Sequence, residues 1–354
     1  MRIAMLHTDL PGVSRGGVAY QVSRLANALV GRGHEVTVFT FSPRPLEAEY
    51  SVRTLWRGFA LSNTRAGRLL FTPLAFALRG YRAFDVIHAH GDDYLLFGRP
   101  EPIVRTFYGS ARDEARVADR LPRKLVQRFL FVAEQVSRRT ATVTVGISET
   151  TSRALGSLDV VIPCGVDREI FHPGEKSRHP TVLFVGTLDG RKRGRLLIDA
   201  FRTRIRAELP DSELWLVGDG LPHGEGVRAW GRVSDQRMAR LMREAWALAV
   251  PSAYEGFGVP YVEAMASGTA VVTTDNEGAR ELFQATSSGV IASDREFPEA
   301  VLSVLRDSAL REDLAAQGRD LSERFAWPRI ANRYEEVYRL ALEEKRGRRG
   351  ADVE

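Results

Sequence analysis

The chain has 354 residues, which exceeds one ordinary hydrophobic core and suits two domains of about 150 to 180 residues each. Hydrophobic residues make up 44% and charged residues 27%, as in a globular protein, and the net charge is +5. The single cysteine, Cys164, excludes an intramolecular disulfide and a cysteine-based metal site.

Neither a secretory signal nor a membrane anchor is expected. The chain begins without the long apolar core of a signal peptide. The longest apolar-rich stretch, 69–78, has about half of the ~20 residues that span a bilayer. We therefore expect a cytoplasmic protein.

Positive charge is concentrated between residues 105 and 139, where nine Lys or Arg face four acidic residues. A solvated helix face is the simplest interpretation. An anionic acceptor, or peripheral contact with an anionic membrane at its inner face, is the alternative. Nucleic acid is not expected, because no recognition motif accompanies the charge.

The first half of the chain alternates strands and helices. A strand at 2–7, a glycine-rich loop, a helix at about 19–31 and a strand at 34–40 form a β-α-β unit, which predicts a parallel sheet. Further strands are predicted at 52–55, 86–90, 103–107, 142–146 and 160–163, with a helix starting near Ser148.

A polar, proline-bearing segment at 167–180 predicts a linker, after which the alternation resumes. Strands are predicted at 181–185, 213–217, 227–230, 247–251 and 270–274. Helices are predicted at 195–206, 234–245, 260–267 and from about 297 onward. Both halves are therefore expected to be Rossmann-like doubly wound domains, with ligands at the carboxyl ends of their strands in a central cleft.

The segment 251–268 predicts an anion site. An apolar strand ends at Pro251, a glycine-containing loop follows, and Pro260 suits the first turn of a helix. The N-terminus of a helix approached by small residues attracts phosphate. Glu255 on the loop and Glu263 on the helix can accept hydrogen bonds from hydroxyls, so the segment fits a sugar nucleotide.

This segment resembles the E-x7-E motif of glycosyltransferase family 4, whose members are retaining enzymes with the GT-B fold. The resemblance extends over nearly the whole chain, through matching segments at 16–18, 84–90, 162–167, 184–194, 216–220, 231–233 and 278–281. It implies an N-terminal acceptor domain at 1–168, a C-terminal donor domain at 169–327, and a helix at about 328–345 that crosses back to the first domain.

The resemblance implies an enzyme that moves a sugar from a nucleoside-diphosphate sugar, UDP being favoured, to a small-molecule, lipid or glycan acceptor. Glu263 would hold the ribose and Glu255 a hydroxyl of the donor sugar. Backbone amides around Phe257 would contact the sugar or diphosphate. The other implied donor-binding residues are Gly16, Gly17, Gly186, Arg232, Val233, Gly256, Gly258 and Val259.

Three consecutive basic residues, Arg191, Lys192 and Arg193, would neutralise the leaving diphosphate, because cations stabilise the charge that develops when a glycosyl-phosphate bond breaks. Thr187 stands where the family has an arginine. The register leaves open which of the three basic residues matches the family's lysine, and Lys192 is favoured.

On the acceptor side, Tyr108 stands where the family has a histidine, which leaves sugar specificity open. We expect His88 and His90 to point to opposite faces of their strand, with His90 catalytic at the strand end. Asp92 and Asp93 would bind acceptor hydroxyls.

No metal and no cofactor beyond the sugar nucleotide are expected, because no Asp/His cluster has metal-ligand spacing. A nucleotide-sugar epimerase of similar fold and an inactive nucleotide-sugar-binding subunit are the alternatives. The sequence gives no indication of the oligomeric state.

Overall fold

The computed structural model describes residues 1–12, 17–55, 65–116 and 121–351. These residues form two compact α/β units. The first takes its described residues from 1–115, 122–165 and 327–354, and the second from 116–121 and 166–326. The units change at 165/166, whereas the predicted domain boundary was 168/169.

The first unit contains a seven-stranded parallel sheet in the order β3-β2-β1-β4-β5-β6-β7. All seven strands predicted from the sequence are present. The order reverses direction beside β1, which is where ligands bind in doubly wound folds. The strands are β1 (Arg2–Leu6), β2 (Glu35–Thr40), β3 (Ser51–Thr54), β4 (Val86–Ala89), β5 (Ile103–Phe107), β6 (Val143–Gly146) and β7 (Val160–Val161).

In the part of the chain that the structure describes, five helices connect these strands: α1 (Gly17–Val30), α2 (Arg65–Ala77), α3 (Ala111–Arg116), α4 (Leu121–Thr140) and α5 (Glu149–Leu155). In α1, Val22, Leu25, Ala26 and Leu29 recur with helical spacing and are fully or almost fully buried. They pack into one core cluster with residues of β1, β2 and β4. Ser148 caps α5 as predicted, by accepting a hydrogen bond from the Thr151 amide.

The last helix, α13 (Trp327–Ala351), belongs to the first unit, as predicted for a C-terminal helix that crosses back. Ile330, Tyr334 and Tyr338 are buried in the core cluster of the first sheet. Glu335 accepts hydrogen bonds from Arg32, whose Nε lies 2.7 Å away, and contacts His34. The hydrogen bond from Arg32 is the largest cause that lowers the pKa of Glu335 to about 2, so the helix is also held by charge.

The second unit contains a six-stranded parallel sheet in the order β10-β9-β8-β11-β12-β13. Five of its strands were predicted, and the sixth, β13, was not. The strands are β8 (Thr181–Val185), β9 (Glu213–Val217), β10 (Val227–Gly231), β11 (Ala247–Val250), β12 (Ala270–Thr274) and β13 (Val290–Ala292).

The helices of the second unit follow the same alternation. They are α6 (Gly194–Ala200), α7 (Arg206–Glu208), α8 (Asp235–Glu244), α9 (Val259–Ala266), α10 (Glu277–Phe283), α11 (Phe297–Arg306) and α12 (Ser308–Ser322). A π-helical turn, Phe201–Ile205, joins α6 to α7, and a 3-10 turn, Gly190–Lys192, precedes α6. Within the described ranges, no helix is long and apolar enough to span a bilayer.

Candidate active site

The loops after β8 and β11 bring a carboxylate and two cations together in the second unit. The Lys192 Nζ lies 2.5 Å from the Glu255 Oε1, and the Arg191 Nη1 donates to the Glu255 Oε2 at 2.7 Å. The Ser252 hydroxyl donates to the Glu255 Oε1 at 2.7 Å. Sequence reasoning did not identify Ser252, which lies three residues before Glu255 on the same loop.

Glu255 is only 4% exposed, so its protonation state depends on these neighbours. Burial acts to raise the pKa of Glu255, but the charges of Lys192 and Arg191 outweigh burial and hold the pKa below its usual range. Burial lowers the pKa of Lys192, and the charge of Glu255 opposes that effect. The cluster therefore holds one carboxylate beside two basic side chains.

Two glycines make room for this cluster. A Cβ at Gly186 would lie 2.9 Å from both the Cβ and the Cγ of Lys192. A Cβ at Gly278, at the start of α10, would lie 2.7 Å from the Glu255 carbonyl oxygen. The absence of a Cβ at Gly186 leaves room for the aliphatic part of the Lys192 side chain. The absence of a Cβ at Gly278 lets α10 approach the backbone of Glu255.

Helix α9 begins beside the same loop. Gly258 precedes it with a φ of 95°, a left-handed conformation that favours glycine, and Pro260 lies in the first turn. Glu263 follows on this helix and is half-buried, close enough to Lys192 to raise its pKa. Phe257 is buried with its ring 5.3 Å from that of Phe325, while Gly256 and Val259 complete the loop and the helix start.

Arg193 points into a different set of contacts. Its guanidinium donates to both carboxylate oxygens of Asp294, at 2.7 and 2.8 Å. It also donates to the Pro251 carbonyl at 2.7 Å and to the Thr274 hydroxyl at 2.8 Å. Arg193 therefore connects the end of β12 with the segments that follow β11 and β13.

The loop after β10 holds the residues predicted to flank the base. Arg232 is exposed, and its guanidinium forms a bidentate ion pair with the carboxylate of Asp219. The Arg232 Nε lies 2.7 Å from one of the carboxylate oxygens. Val233 is half-buried beside it. Before them in the chain, Trp230 lies under the guanidinium groups of Arg228 and Arg237, which are 3.7 and 4.3 Å from its ring centre.

In the first unit, His88 and His90 lie on the same side of the sheet. Their ring centres are 3.9 Å apart, so the prediction that they point to opposite faces is wrong. Residues two apart on a strand share a face, and only immediate neighbours alternate. Both histidines are buried, and His88 hydrogen-bonds Tyr338 and Thr106, each at 2.8 Å.

A cavity of about 320 Å³ opens beside His90 and Tyr108 within the first unit. A 3.0 Å hydrogen bond joins the Nδ1 of His90 to the hydroxyl of Tyr108. The other nitrogen of His90, Nε2, is buried and has no hydrogen-bond partner among the described residues. Burial, then the charges of His88, His7 and Arg105, lower the pKa of His90, so the ring is neutral at pH 7.

Of the two predicted acceptor-side aspartates, Asp92 lines this cavity. It has a φ of 55° and accepts a hydrogen bond from the Thr8 hydroxyl at 2.5 Å, and burial raises its pKa. Asp93 is 1% exposed and lies 2.6 Å from the Arg105 Nε. Asp93 therefore holds Arg105, which itself lines the cavity.

The cavity is also lined by residues that were not predicted, among them His7, Arg105 and Glu134. Burial raises the pKa of Glu134 to about 7, although the Ala111 amide donates to its carboxylate. Burial and then Arg105 lower the pKa of His7 to about 4. His7 ends the first predicted strand, so its position could have been found from the sequence, whereas Glu134 on α4 carries no local motif.

Of the two glycines predicted in the first loop, Gly17 begins α1, and a Cβ there would meet no atom within 4 Å. Gly16 lies outside the described residues. Among the described residues, no group of three or more His, Cys, Asp or Glu side chains is arranged to hold a metal ion.

Two family models match the chain. One described as "Glycosyltransferase Family 4" matches residues 15–170, and one described as "Glycosyl transferases group 1" matches residues 179–307. The phosphatidyl-myo-inositol mannosyltransferase of Mycolicibacterium smegmatis is 31% identical, over 96% of this chain and 93% of that protein. The D-inositol 3-phosphate glycosyltransferase of Xylanimonas cellulosilytica is 27% identical, over 98% of each chain.

Solved structures share the fold. Sucrose-phosphate synthase from Thermosynechococcus elongatus aligns with a TM-score of 0.80 and 22% identity, over 96% of this chain and 98% of that chain. Anabaena HepE, in complex with UDP and glucose, aligns with a TM-score of 0.74 and 20% identity, over 95% of this chain and 99% of that chain. Both likenesses support the two-domain GT-B architecture.

The fold and the relatives together define a glycosyltransferase of the GT-B class. The chain belongs to glycosyltransferase family 4. The relatives are named as transferases, which favours this activity over the epimerase and the inactive subunit considered from the sequence.

Proposed function

We propose that this enzyme transfers a sugar from a nucleoside-diphosphate sugar to an acceptor hydroxyl, with retention at the anomeric carbon and without a metal ion. The observation that carries the proposal is the Glu255 cluster, in which Lys192 and Arg191 meet one carboxylate beside the start of α9. Preplaced cations and a helix N-terminus suit a diphosphate, and a carboxylate suits the hydroxyls of a sugar.

Glu255 is proposed to bind a hydroxyl of the donor sugar. A carboxylate has about four acceptor positions, and Ser252, Lys192 and Arg191 take three of them. The remaining position is on Oε2, the oxygen that contacts Arg191. Glu263, eight residues further on, is proposed to hold the ribose, and the amides of 257–259 to contact the sugar or diphosphate.

Lys192 and Arg191 are proposed to stabilise the leaving diphosphate. As the glycosyl-phosphate bond breaks, negative charge builds on the departing oxygen, and a buried lysine stabilises it more strongly than one in water would. Arg193 is assigned a positioning role, because its guanidinium already binds Asp294, Thr274 and the Pro251 carbonyl. Arg232 and Val233 are proposed to flank the base.

The cavity of the first unit is proposed to take the acceptor. The unpaired Nε2 of His90, the carboxylate of Asp92 and the Tyr108 hydroxyl can together bind a polyhydroxylated group. Asp93 would act by orienting Arg105. Relatives named for phosphatidyl-myo-inositol and D-inositol 3-phosphate favour a polyol acceptor, free or carried on a lipid.

The donor is proposed to consist of the nucleotide UDP and a hexose. HepE is described in complex with UDP-glucose, which favours UDP, and relatives named mannosyltransferases favour mannose as the sugar. A cytoplasmic location with peripheral access to the inner face of a membrane completes the proposal, because several relatives are named for a phospholipid acceptor.

The test is thermal unfolding of the wild type and of Glu263→Ala with UDP, GDP, ADP and TDP in turn. A nucleotide at about 100 times its dissociation constant adds roughly 2.7 kcal/mol to the free energy of unfolding. One nucleotide is expected to raise the melting temperature of the wild type by several degrees. Glu263→Ala is expected to lose that response.

Glu277→Ala is the matched control, because Glu277 is an exposed carboxylate on the nearby helix α10. It should respond to the nucleotide as the wild type does. Stabilisation by no nucleotide, or an unchanged response of Glu263→Ala, would show that the donor site is assigned wrongly. A response to GDP rather than UDP would overturn only the choice of base.

A further inference from the structure

Helix α4 presents large apolar side chains to solvent beside its buried face. Leu125, Phe129 and Val132 are 55%, 46% and 60% exposed, and spacings of four and three residues place them in one stripe. The buried residues of the helix are the small Ala133 and Ser137. A helix that only covered the sheet would have the reverse arrangement.

Helix α2 and the segment after β4 extend this apolar surface. Leu70, Leu74 and Phe97 are 65%, 43% and 57% exposed. Tyr94 joins the two helices, because its hydroxyl donates to the Leu69 carbonyl on α2 and its ring meets the ring of Phe129 edge-on at 6.2 Å. We call the exposed apolar residues of these elements the α2–α4 face. Single exposed leucines are ordinary, but a cluster on adjoining helices marks an interaction surface.

Positive charge accompanies the α2–α4 face. Lys124 and Arg128 each precede a stripe residue by one position, so they flank the stripe along one side. Helix α4 carries five basic residues and one acidic residue, Glu134. The segment 69–84, which holds the described side chains of α2, contains Arg79 and Arg82 and no Asp or Glu. A protein surface of this kind is complementary to a negatively charged, apolar partner.

We propose that the α2–α4 face docks on the surface of an anionic lipid bilayer, with the apolar stripe entering the headgroup region and the basic side chains contacting lipid phosphates. An amphipathic helix with Leu and Phe on one side and Lys and Arg beside them is typical of such interfacial binding. This surface extends the peripheral association proposed above and rests on it, and it would present the first unit to an acceptor held in the membrane.

The test is sedimentation of the full-length protein with vesicles, in the absence of sugar nucleotide. Vesicles of phosphatidylcholine with about a third phosphatidylglycerol are compared with vesicles of phosphatidylcholine alone. The triple variant Leu125→Ser/Phe129→Ser/Val132→Ser is expected to bind on the order of 100-fold more weakly than the wild type. Lys124→Gln/Arg128→Gln is expected to bind about 25-fold more weakly, at about fivefold for each basic residue.

Two controls match these variants. Leu46→Ser removes a fully exposed leucine outside the α2–α4 face, and Arg240→Gln/Arg329→Gln removes two exposed charges on α8 and α13. Both should bind as the wild type does. Melting temperatures within about a degree of the wild type will show that the serine variant is folded, because it removes exposed side chains only.

Equal binding of the wild type to both kinds of vesicle, no binding to either, or unchanged binding of the triple variant would overturn the proposal. A wild-type dimer that the triple variant converts to a monomer would assign the face to a second copy of the chain. Nucleotide protection in the thermal assay reports the donor site separately, so loss of membrane binding with intact protection would leave the proposed enzymatic function standing.

Discussion

Replacement of Lys192 by methionine tests the charge cluster most directly. Methionine keeps the approximate length and apolar character of the lysine stem, which packs against Gly186, and removes only the ammonium. Glu255 then keeps Ser252 on Oε1 and Arg191 on Oε2. The substitution therefore removes one of two cations while the carboxylate remains hydrogen-bonded.

The expected effects on turnover and on stability can be estimated separately. Removal of one group that stabilises developing negative charge commonly costs 10²- to 10³-fold in kcat. Breaking a buried ion pair costs about 3 to 5 kcal/mol, and the lower end applies because Arg191 and Ser252 remain. With about 2 to 4 °C per kcal/mol for a unit of this size, the melting temperature of the second unit should fall by roughly 6 to 12 °C.

The pH dependence gives a further signature. In the wild type the pKa of Glu255 is held below its usual range despite burial, chiefly by Lys192. The carboxylate thus contributes stability above the usual glutamate pKa of about 4.3, and this contribution is lost as the pH falls through the lowered pKa of the folded state. In Lys192→Met the pKa of Glu255 rises, so acid destabilisation should begin at a higher pH than in the wild type.

Two measurements are needed. The first is the steady-state rate of sugar transfer from the nucleotide sugar that the thermal assay identifies, and the second is thermal unfolding between about pH 4 and 8. Lys176→Met is the control, because Lys176 is also a mostly buried lysine of the second unit, and it donates to the Ala245 carbonyl at 2.9 Å. It should lose stability and keep kcat. Normal turnover by Lys192→Met, or an equal loss of kcat in Lys176→Met, would refute the assignment of Lys192 to the leaving group.

Two further predictions concern Gly186 and Glu134. Gly186→Ala should cost about 1 to 3 kcal/mol of stability and lower kcat by about 10²-fold, because the new Cβ would displace the side chain of Lys192. The control is Gly80→Ala, which adds a Cβ in open space and should change neither stability nor kcat. Thermal unfolding and transfer assays measure the two effects. Glu134 has a pKa of about 7 in the folded state, above its unfolded value near 4.5, so its contribution to stability is lost as the pH rises from about 4.5 to 7. Between about pH 4.5 and 7 the free energy of unfolding of the wild type should therefore fall by about 2 to 3 kcal/mol more than that of Glu134→Gln, as measured by denaturant unfolding. An unchanged pH profile in the variant would contradict the burial of this carboxylate.

The strands were largely predictable from the sequence because most are short, mainly apolar runs bounded by turn residues. All strands of the first sheet and all but β13 of the second were predicted. β13 has only three residues, Val290–Ala292, and follows a stretch of serine and glycine, so its periodicity cannot be read. It is fixed by pairing with β12, which is a tertiary contact.

Helix α4 shows a second limit of sequence reasoning. The stretch from 105 to 139 was interpreted most simply as a solvated, basic helix face, and a basic helix is present. Its exposed side, however, carries Leu125 and Phe129, while its buried residues are small. The rule that apolar residues face the core would predict that the side with Leu125 and Phe129 is buried. The rule fails for this helix because it assumes that a face turned away from the core contacts only water.

The cavity of the first unit was incompletely predicted for a different reason. His90 and Tyr108 belong to segments that resemble family motifs, and Asp92 follows the first of these, so all three could be chosen from the sequence. Arg105 and Glu134 are brought to the cavity by β5 and α4, from positions with no local signal. The error about His88 and His90 was one of geometry, because strand periodicity alone places them on one face.

The three consecutive basic residues show why spacing alone could not assign the cations. Arg191 and Lys192 lie in a 3-10 turn, and their side chains meet at Glu255. Arg193 then adopts a left-handed conformation with a φ of 50°, and its side chain reaches Asp294 instead. Sequence identifies the cluster of charge, but the backbone conformation at the third residue decides which charges can serve one ligand. A positive φ at a non-glycine residue carries a steric cost, and the four hydrogen bonds of Arg193 supply a physical reason for its retention here. Loss of the Arg193 side chain would therefore alter the conformation of the turn and displace Lys192. It would not act by removing a charge from the diphosphate.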